Sequence, residues 1–266
     1  MQHQDELLLV GLCPHPRGGF FTLDLDRIED AFRAGGNLLV FCNPYNPLGR
    51  VFTEPEMTQL TDVVERHGGR VFADEIHGPL VYPGTPHIPY ASTSDAAAAH
   101  TLTATSASKG WNLPGLKCAQ VILTNEPDRQ RWEDMGFFAA RGASNYGVAA
   151  NIAAYRHGEA WLDEIIGYLD EGRRLLAGLL ARHLSEVRYR PPDGTYLAWL
   201  DCTAMDLPDS PGELINGARV TVVDGPAFGD GGAGAFRLNF ATPHPVLAEM
   251  VERIAGALNP GLSGPA

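Results

Sequence analysis

Lys109 stands alone in the run SASKGWNLPGLKCAQ, between a small polar tract and a Gly-Trp-Asn-Leu-Pro turn. A lysine so placed is open to three readings: a solvated loop charge, the lysine of a Ser-x-x-Lys hydrolase motif, or an amine for covalent chemistry with a carbonyl. Other polar groups share its kind of surroundings. Asn43 and Asn46 follow the apolar run NLLVFC, and Asp74 closes RVFAD. Each alone has an ordinary explanation. Asn beside Pro makes turns, an Asp-Glu pair caps a following segment, and a loop lysine is solvated. If the three preceding runs are parallel strands, however, all these groups fall beyond the strands' carboxyl ends, where open α/β sheets bind ligands. An amide, a carboxylate and a lysine on one rim resemble a cofactor site more than a surface.

The elements that would position them can be read from the pattern. Runs 37–42, 70–73 and 100–105 are strand candidates, with another at 119–123. Between the first two, Thr53 and Glu56 fit a capping box, Pro55 falls in a first turn, and Met57, Leu60 and Val64 recur at helical spacing up to Gly68-Gly69. Strand, helix, strand is the signature of a parallel sheet. DAAAAH, 95–100, reads as a short loop or helical turn. A long helix is expected over 151–184, strands over 195–200, 219–223 and 236–240, and a final amphipathic helix over 245–258. The expectation is an α/β protein: a large domain with a mostly parallel sheet over 1–155, then an interdomain helix and a smaller α+β domain over 156–266.

Composition narrows the function classes. With 266 residues, 44% of them hydrophobic, the chain can bury a sizeable core. A formal net charge of -12 opposes nucleic-acid binding, which draws its affinity from phosphate neutralisation. Small anions stay possible, since a few local donors hold them. No apolar run reaches membrane-spanning length. The start, MQHQDELLLVG, has acids where a signal peptide needs a basic region. A cytoplasmic protein with no membrane partner is expected. Cys13, Cys42, Cys118 and Cys202 are widely spaced and form no CxxC pair, so free thiols are expected and no metal site. Two motifs mislead. DEIH with the nearby TATSAS imitates a helicase acidic box, but the chain has no GK[ST] phosphate loop. SASK imitates penicillin-binding proteins, but neither S-D-N nor K-T-G occurs.

NPYNPLGR, ADEIHGPLV, SASKGWNLPGLKCAQ and FRLNFATP together resemble the class I/II aminotransferase superfamily, the fold-type-I pyridoxal-phosphate (PLP) enzymes. CNPYNPLGRVF, the histidine of DEIH and GWNLPGLKCAQ look most like its MalY/PatB cystathionine β-lyases, and the resemblance runs from about residue 18 to about residue 243. It implies PLP as cofactor, a PLP-dependent transferase-like large domain, a small amino-acid substrate and a homodimer. It implies that Lys109 bonds the cofactor covalently and acts as catalyst, that Asp74 faces the pyridine nitrogen, and that Asn46 bonds the ring hydroxyl. His77 fills a slot near that hydroxyl where many aminotransferases have tyrosine. Ser106 and Lys117 match phosphate contacts, and Arg237 matches the arginine holding the substrate carboxylate. At Lys117 many aminotransferases have arginine, so a two-pronged clamp becomes a point charge. Asn145-Tyr146 resembles a segment near the neighbouring subunit's site. The family also implies an upstream segment, with a phosphate-binding turn and a ring-stacking aromatic, that has no match here; weak or no activity of the 266-residue chain is the corresponding expectation. The implied activity is C–S β-elimination from cystathionine or a related cysteine thioether. Its rivals are amino transfer on the same scaffold and a non-catalytic or regulatory remnant.

Overall fold

The computed structural model describes residues 13–14, 21–229 and 231–259. Two short strands, β1 (Cys13–Pro14) and β2 (Phe21–Thr22), pair antiparallel ahead of helix α1 (Leu25–Arg33). The strand–helix–strand expectation then holds. β3 (Leu38–Cys42), α2 (Glu54–Arg66) and β4 (Arg70–Asp74) form in turn, and β3 and β4 pair in parallel. Glu56 accepts hydrogen bonds from both the backbone N–H and the hydroxyl of Thr53, at 2.9 and 2.8 Å, which sets where α2 begins.

The DAAAAH tract is helix α3 (Asp95–His100), with Ser94 as its cap. His100 therefore ends a helix, and strand β5 covers Thr101–Thr105 rather than 100–105. β5 is parallel to β4, whereas β6 (Gln120–Leu123) runs antiparallel to β5, giving the sheet order β3-β4-β5-β6. Between β5 and β6 lies the single turn of helix α4 (Ala107–Gly110). One face of this sheet packs on α1, α2 and α3 through Ile28, Phe32, Phe41, Leu60, Val71 and Ala97.

Helices α5 (Glu126–Met135), α6 (Phe137–Ala140), α7 (Asn145–His157) and α8 (Glu159–His183) follow. The single helix expected over 151–184 is thus two. The break has a local cause: the Trp111 indole N–H donates to the Gly158 carbonyl at 2.9 Å, and a Cβ at Gly158 would lie 2.3 Å from Trp111 Nε1. Beyond α8 come β7 (Arg188–Tyr189), β8 (Leu197–Asp201), α9 (Gly212–Gly217), β9 (Val223–Asp224), β10 (Ala235–Asn239) and α10 (His244–Leu258). The strand expected over 219–223 is mostly loop. Arg219 has φ +60, a left-handed conformation that a strand cannot contain, and pairing begins only at Val223. The four strands form an antiparallel sheet in the order β7-β8-β10-β9, and its core with α8 and α10 includes Leu176, Leu200, Phe236, Leu238 and Val251.

Backbone bonds tie the two sheets' surroundings together. Thr195 N–H donates to Leu80 O at 2.7 Å, and the Gly49 carbonyl accepts from Asp193 and Gly194 at 2.8 and 2.9 Å. Gly49 has φ +66, and a Cβ there would sit 2.3 Å from Pro192 Cβ, so this close approach requires glycine.

Candidate functional site

The three parallel strands end side by side, with Cys42 opposite Asp74 and Asp74 opposite Ala104. The NPYNP turn, Asp74 and α4 therefore share one rim. The two asparagines of the turn have different tasks. Asn43 is fully buried, and its side-chain oxygen accepts the Phe52 N–H at 3.1 Å, so the turn-residue reading holds for it. Asn46 Oδ1 instead accepts from Arg237 Nη1 at 2.7 Å, across 191 positions of sequence. That bond orients the amide and leaves Nδ2 free to donate.

The two acids of DEIH also separate. Glu75 is buried and spent on the loop that follows, accepting Tyr90 N–H at 2.7 Å and facing His87 Nε2 at 3.3 Å. Asp74 is half-buried, and among the described residues the only bond on its carboxylate is Ile76 N–H to Oδ1 at 3.2 Å. Its charge is felt by Cys42, whose thiol is pushed up to about 11 by burial first and by Asp74 last. Burial likewise raises Cys202 to about 12. Cys42, Cys118 and Cys202 are free thiols, and no group of metal-ligating side chains occurs among the described residues; Cys13's side chain lies outside them.

Lys109 sits in α4, a helix too short to hold itself. Ser106 caps it, accepting Ser108 N–H at 3.0 Å and donating its hydroxyl to Cys118 O at 2.6 Å. Asn151 of α7 does the rest. Its Oδ1 accepts Ala107 N–H at 3.0 Å and Gln120 Nε2 at 3.2 Å, while Nδ2 donates to Gly147 O at 2.9 Å. Sequence reasoning missed Asn151. The available signal was an amide inside an otherwise apolar helical run, which must be satisfied if buried. No acid pairs with Lys109 among the described residues. Lys117 is exposed, has φ +49, and its carbonyl accepts Ser144 N–H at 3.1 Å.

His77 joins the two sides of the site. It is 3% exposed, its ring meets Tyr196 edge-on at 5.9 Å, and its buried Nδ1 has no partner among the described residues. Burial holds its pKa down at about 4, and the positive charges of Lys109 and Arg237 reinforce the shift. The imidazole is neutral at pH 7. Arg237 is half-buried on β10, its guanidinium bonds the neutral Asn46, and no carboxylate pairs with it among the described residues. Asn46, Asp74, His77 and Lys109 thus follow the ends of the parallel strands, and Arg237 reaches Asn46 from β10 of the other sheet. Ser106 supports the turn that carries Lys109, and no bond ties Lys117 to these groups among the described residues. An unpaired amine, a carboxylate, an oriented amide, an orphaned imidazole nitrogen and an unneutralised guanidinium form a donor set for a ligand carrying a carbonyl, a basic ring nitrogen and an anionic substituent.

The sequence profile of the aminotransferase class I and II family matches residues 16–254. The cystathionine beta-lyase of Corynebacterium glutamicum is 41% identical over 236 residues, covering 88% of this chain and 63% of that protein. The cystathionine beta-lyase PatB of Bacillus subtilis is 32% identical over 250 residues, covering 91% and 64%. Among solved structures, cystalysin from Treponema denticola, which contains a pyridoxal 5'-phosphate cofactor, superposes with a TM-score of 0.87 at 30% identity, covering 94% of this chain and 64% of that one. The chain spans a little under two thirds of the length of these relatives. The aspartate aminotransferase of Pyrococcus horikoshii is more distant, at 24% identity over 242 residues.

Proposed function

The chain belongs to the aminotransferase class I and II family, and on that premise we propose that it serves a PLP-dependent C–S β-lyase that converts L-cystathionine or a related cysteine thioether to a thiol, pyruvate and ammonia. The observation that carries the choice of lyase is the 41% identity to a cystathionine beta-lyase, against 24% for an aspartate aminotransferase. The donor set fits the cofactor. PLP supplies an electrophilic aldehyde and a ring that takes up the electrons of a Cα carbanion.

The chain's own groups do the remainder. Lys109 would hold the cofactor through its amine, and as a free amine its Nζ would take the substrate Cα proton. Asp74, on the strand-end rim, would keep a facing ring nitrogen protonated, because opposite charges favour both ionised forms. Asn46 and the neutral His77 would offer hydrogen bonds to the cofactor's ring hydroxyl side, and Arg237 would hold the substrate carboxylate. Ser106 and Lys117 contribute to the phosphate side. We place the boundary between a cofactor-binding unit and a smaller C-terminal unit at 155/156, a homodimeric assembly around it, and the protein in the cytoplasm. Tyr146, 82% exposed on α7, supports the assembly by offering an aromatic to a second copy.

The test is pyruvate and thiol release from L-cystathionine with no keto acid present, alongside the cofactor's visible absorption band. In Lys109→Ala both are expected to vanish, with turnover falling by at least about 10³-fold. A band unchanged in the variant would remove Lys109 from its role. Amino transfer that requires a keto acid would overturn the lyase assignment.

A further inference from the structure

The guanidinium of Arg237 lies over the ring of Phe228, 5.0 Å from its centroid. Phe228 in turn meets Trp199 edge-on at 5.7 Å. Trp199 is the residue paired with Arg237 across the β8–β10 ladder, so one register position supplies both the arginine and the brace of its platform. Phe228 is itself held from below. It ends a 3-10 turn, Gly225–Phe228, whose first residue packs so closely on Gly232 that a Cβ would lie 1.8 Å from Gly232 O. Upstream of that turn, the Asp224 carboxylate accepts Gly212 N–H at 2.7 Å.

Arg237 needs such a support. Among the described residues it has one hydrogen-bond partner, the uncharged Asn46, and burial works against its charge. A guanidinium can rotate about a single bond, and only one orientation offers a carboxylate two parallel N–H groups. The aromatic ring backs the guanidinium while Asn46 engages Nη1, and no other hydrogen bond occupies the fork among the described residues. An aromatic face also stabilises the cation without neutralising it, whereas a carboxylate partner would compete with the ligand. We propose that Phe228, braced by Trp199, is a positioning residue that pre-orients Arg237 for a ligand carboxylate. This rests on the reading of Arg237 as the carboxylate arm.

The test follows the Arg237 Nε–Hε resonance of the 266-residue chain by NMR while 3-(methylthio)propionate, a thioether acid without an amine, is titrated in. Three variants are compared with wild type: Phe228→Leu, 3,4,5-trifluorophenylalanine at position 228, and Arg237→Leu. The fluorinated ring keeps the shape of phenylalanine and weakens its π face, so it guards against a Phe228→Leu chain that fails to fold. The Phe228→Leu variant is expected to weaken binding about fivefold and to shift the Nε–Hε resonance. The fluorinated ring is expected to weaken binding in the same direction. Binding abolished by Arg237→Leu but unchanged with the fluorinated ring would overturn the role of Phe228 and leave Arg237 in place. Binding unchanged in Arg237→Leu would overturn the carboxylate-arm reading itself, and this inference with it.

Discussion

His77 shows how one side chain can be tuned by its place. Its folded pKa of about 4 lies below the ordinary 6.5, first because burial penalises the charged ring and then because Lys109 and Arg237 are cationic. In the unfolded chain the ring gains its proton below about pH 6.5, so the unfolded state binds more protons there and stability falls as the pH drops. The loss starts near 6.5, continues to about 4, and is at most on the order of 3 kcal/mol. The expected outcome for His77→Phe is a flatter decline of unfolding free energy across that window, measured by urea titration at stepped pH. Equal slopes for variant and wild type would rule the effect out. Neutrality also serves the proposed chemistry. A charged His77 would repel both the amine and the guanidinium, and an uncharged one still offers a hydrogen bond.

At the scale of elements, what deserves explanation is how a four-residue helix holds a reactive lysine. α4 has no length with which to stabilise itself, so its N-terminus borrows an acceptor from Asn151 and a cap from Ser106. Asn151→Ala should strip three hydrogen bonds and cost about 2 kcal/mol in chemical denaturation. A near-neutral result would show that water replaces the amide. The α7–α8 break admits a sharper test. Gly158→Ala places a methyl 2.3 Å from the Trp111 indole nitrogen and 2.6 Å from Ala154 O, which should destabilise the fold by about 1–3 kcal/mol. Adding Trp111→Ala should recover part of that loss if the indole is the obstacle. Strict additivity of the two substitutions would point elsewhere.

For the whole molecule, the two faces of the larger sheet differ. One is packed on α1, α2 and α3, whereas Leu38 and Val40 on the other are 53% and 61% exposed, and Val121 at the β6 edge is 37% exposed. Parallel strands are normally covered on both faces, and open apolar edges template association. The 266-residue chain is therefore expected to self-associate at micromolar concentration, and Val40→Lys to lower its weight-average mass in sedimentation velocity. A monomeric wild type would refute this. Much of the architecture was legible beforehand, because it depends on short-range rules. Short apolar runs, helical spacing and capping placed β3, α2 and β4, and residue type at the strand ends singled out Asn46, Asp74 and Lys109. The sequence also carried the family, since four ordered motifs persist whatever their spatial neighbours. Only the tertiary structure decided which of two asparagines and which of two acids face the site, where the long helix breaks, and that β6 turns antiparallel. It alone closed Asn46 on Arg237 and set Phe228 beneath that arginine. These choices follow from contacts between residues far apart in the chain, and neither the spacing nor the type of a residue records what the fold will bring against it.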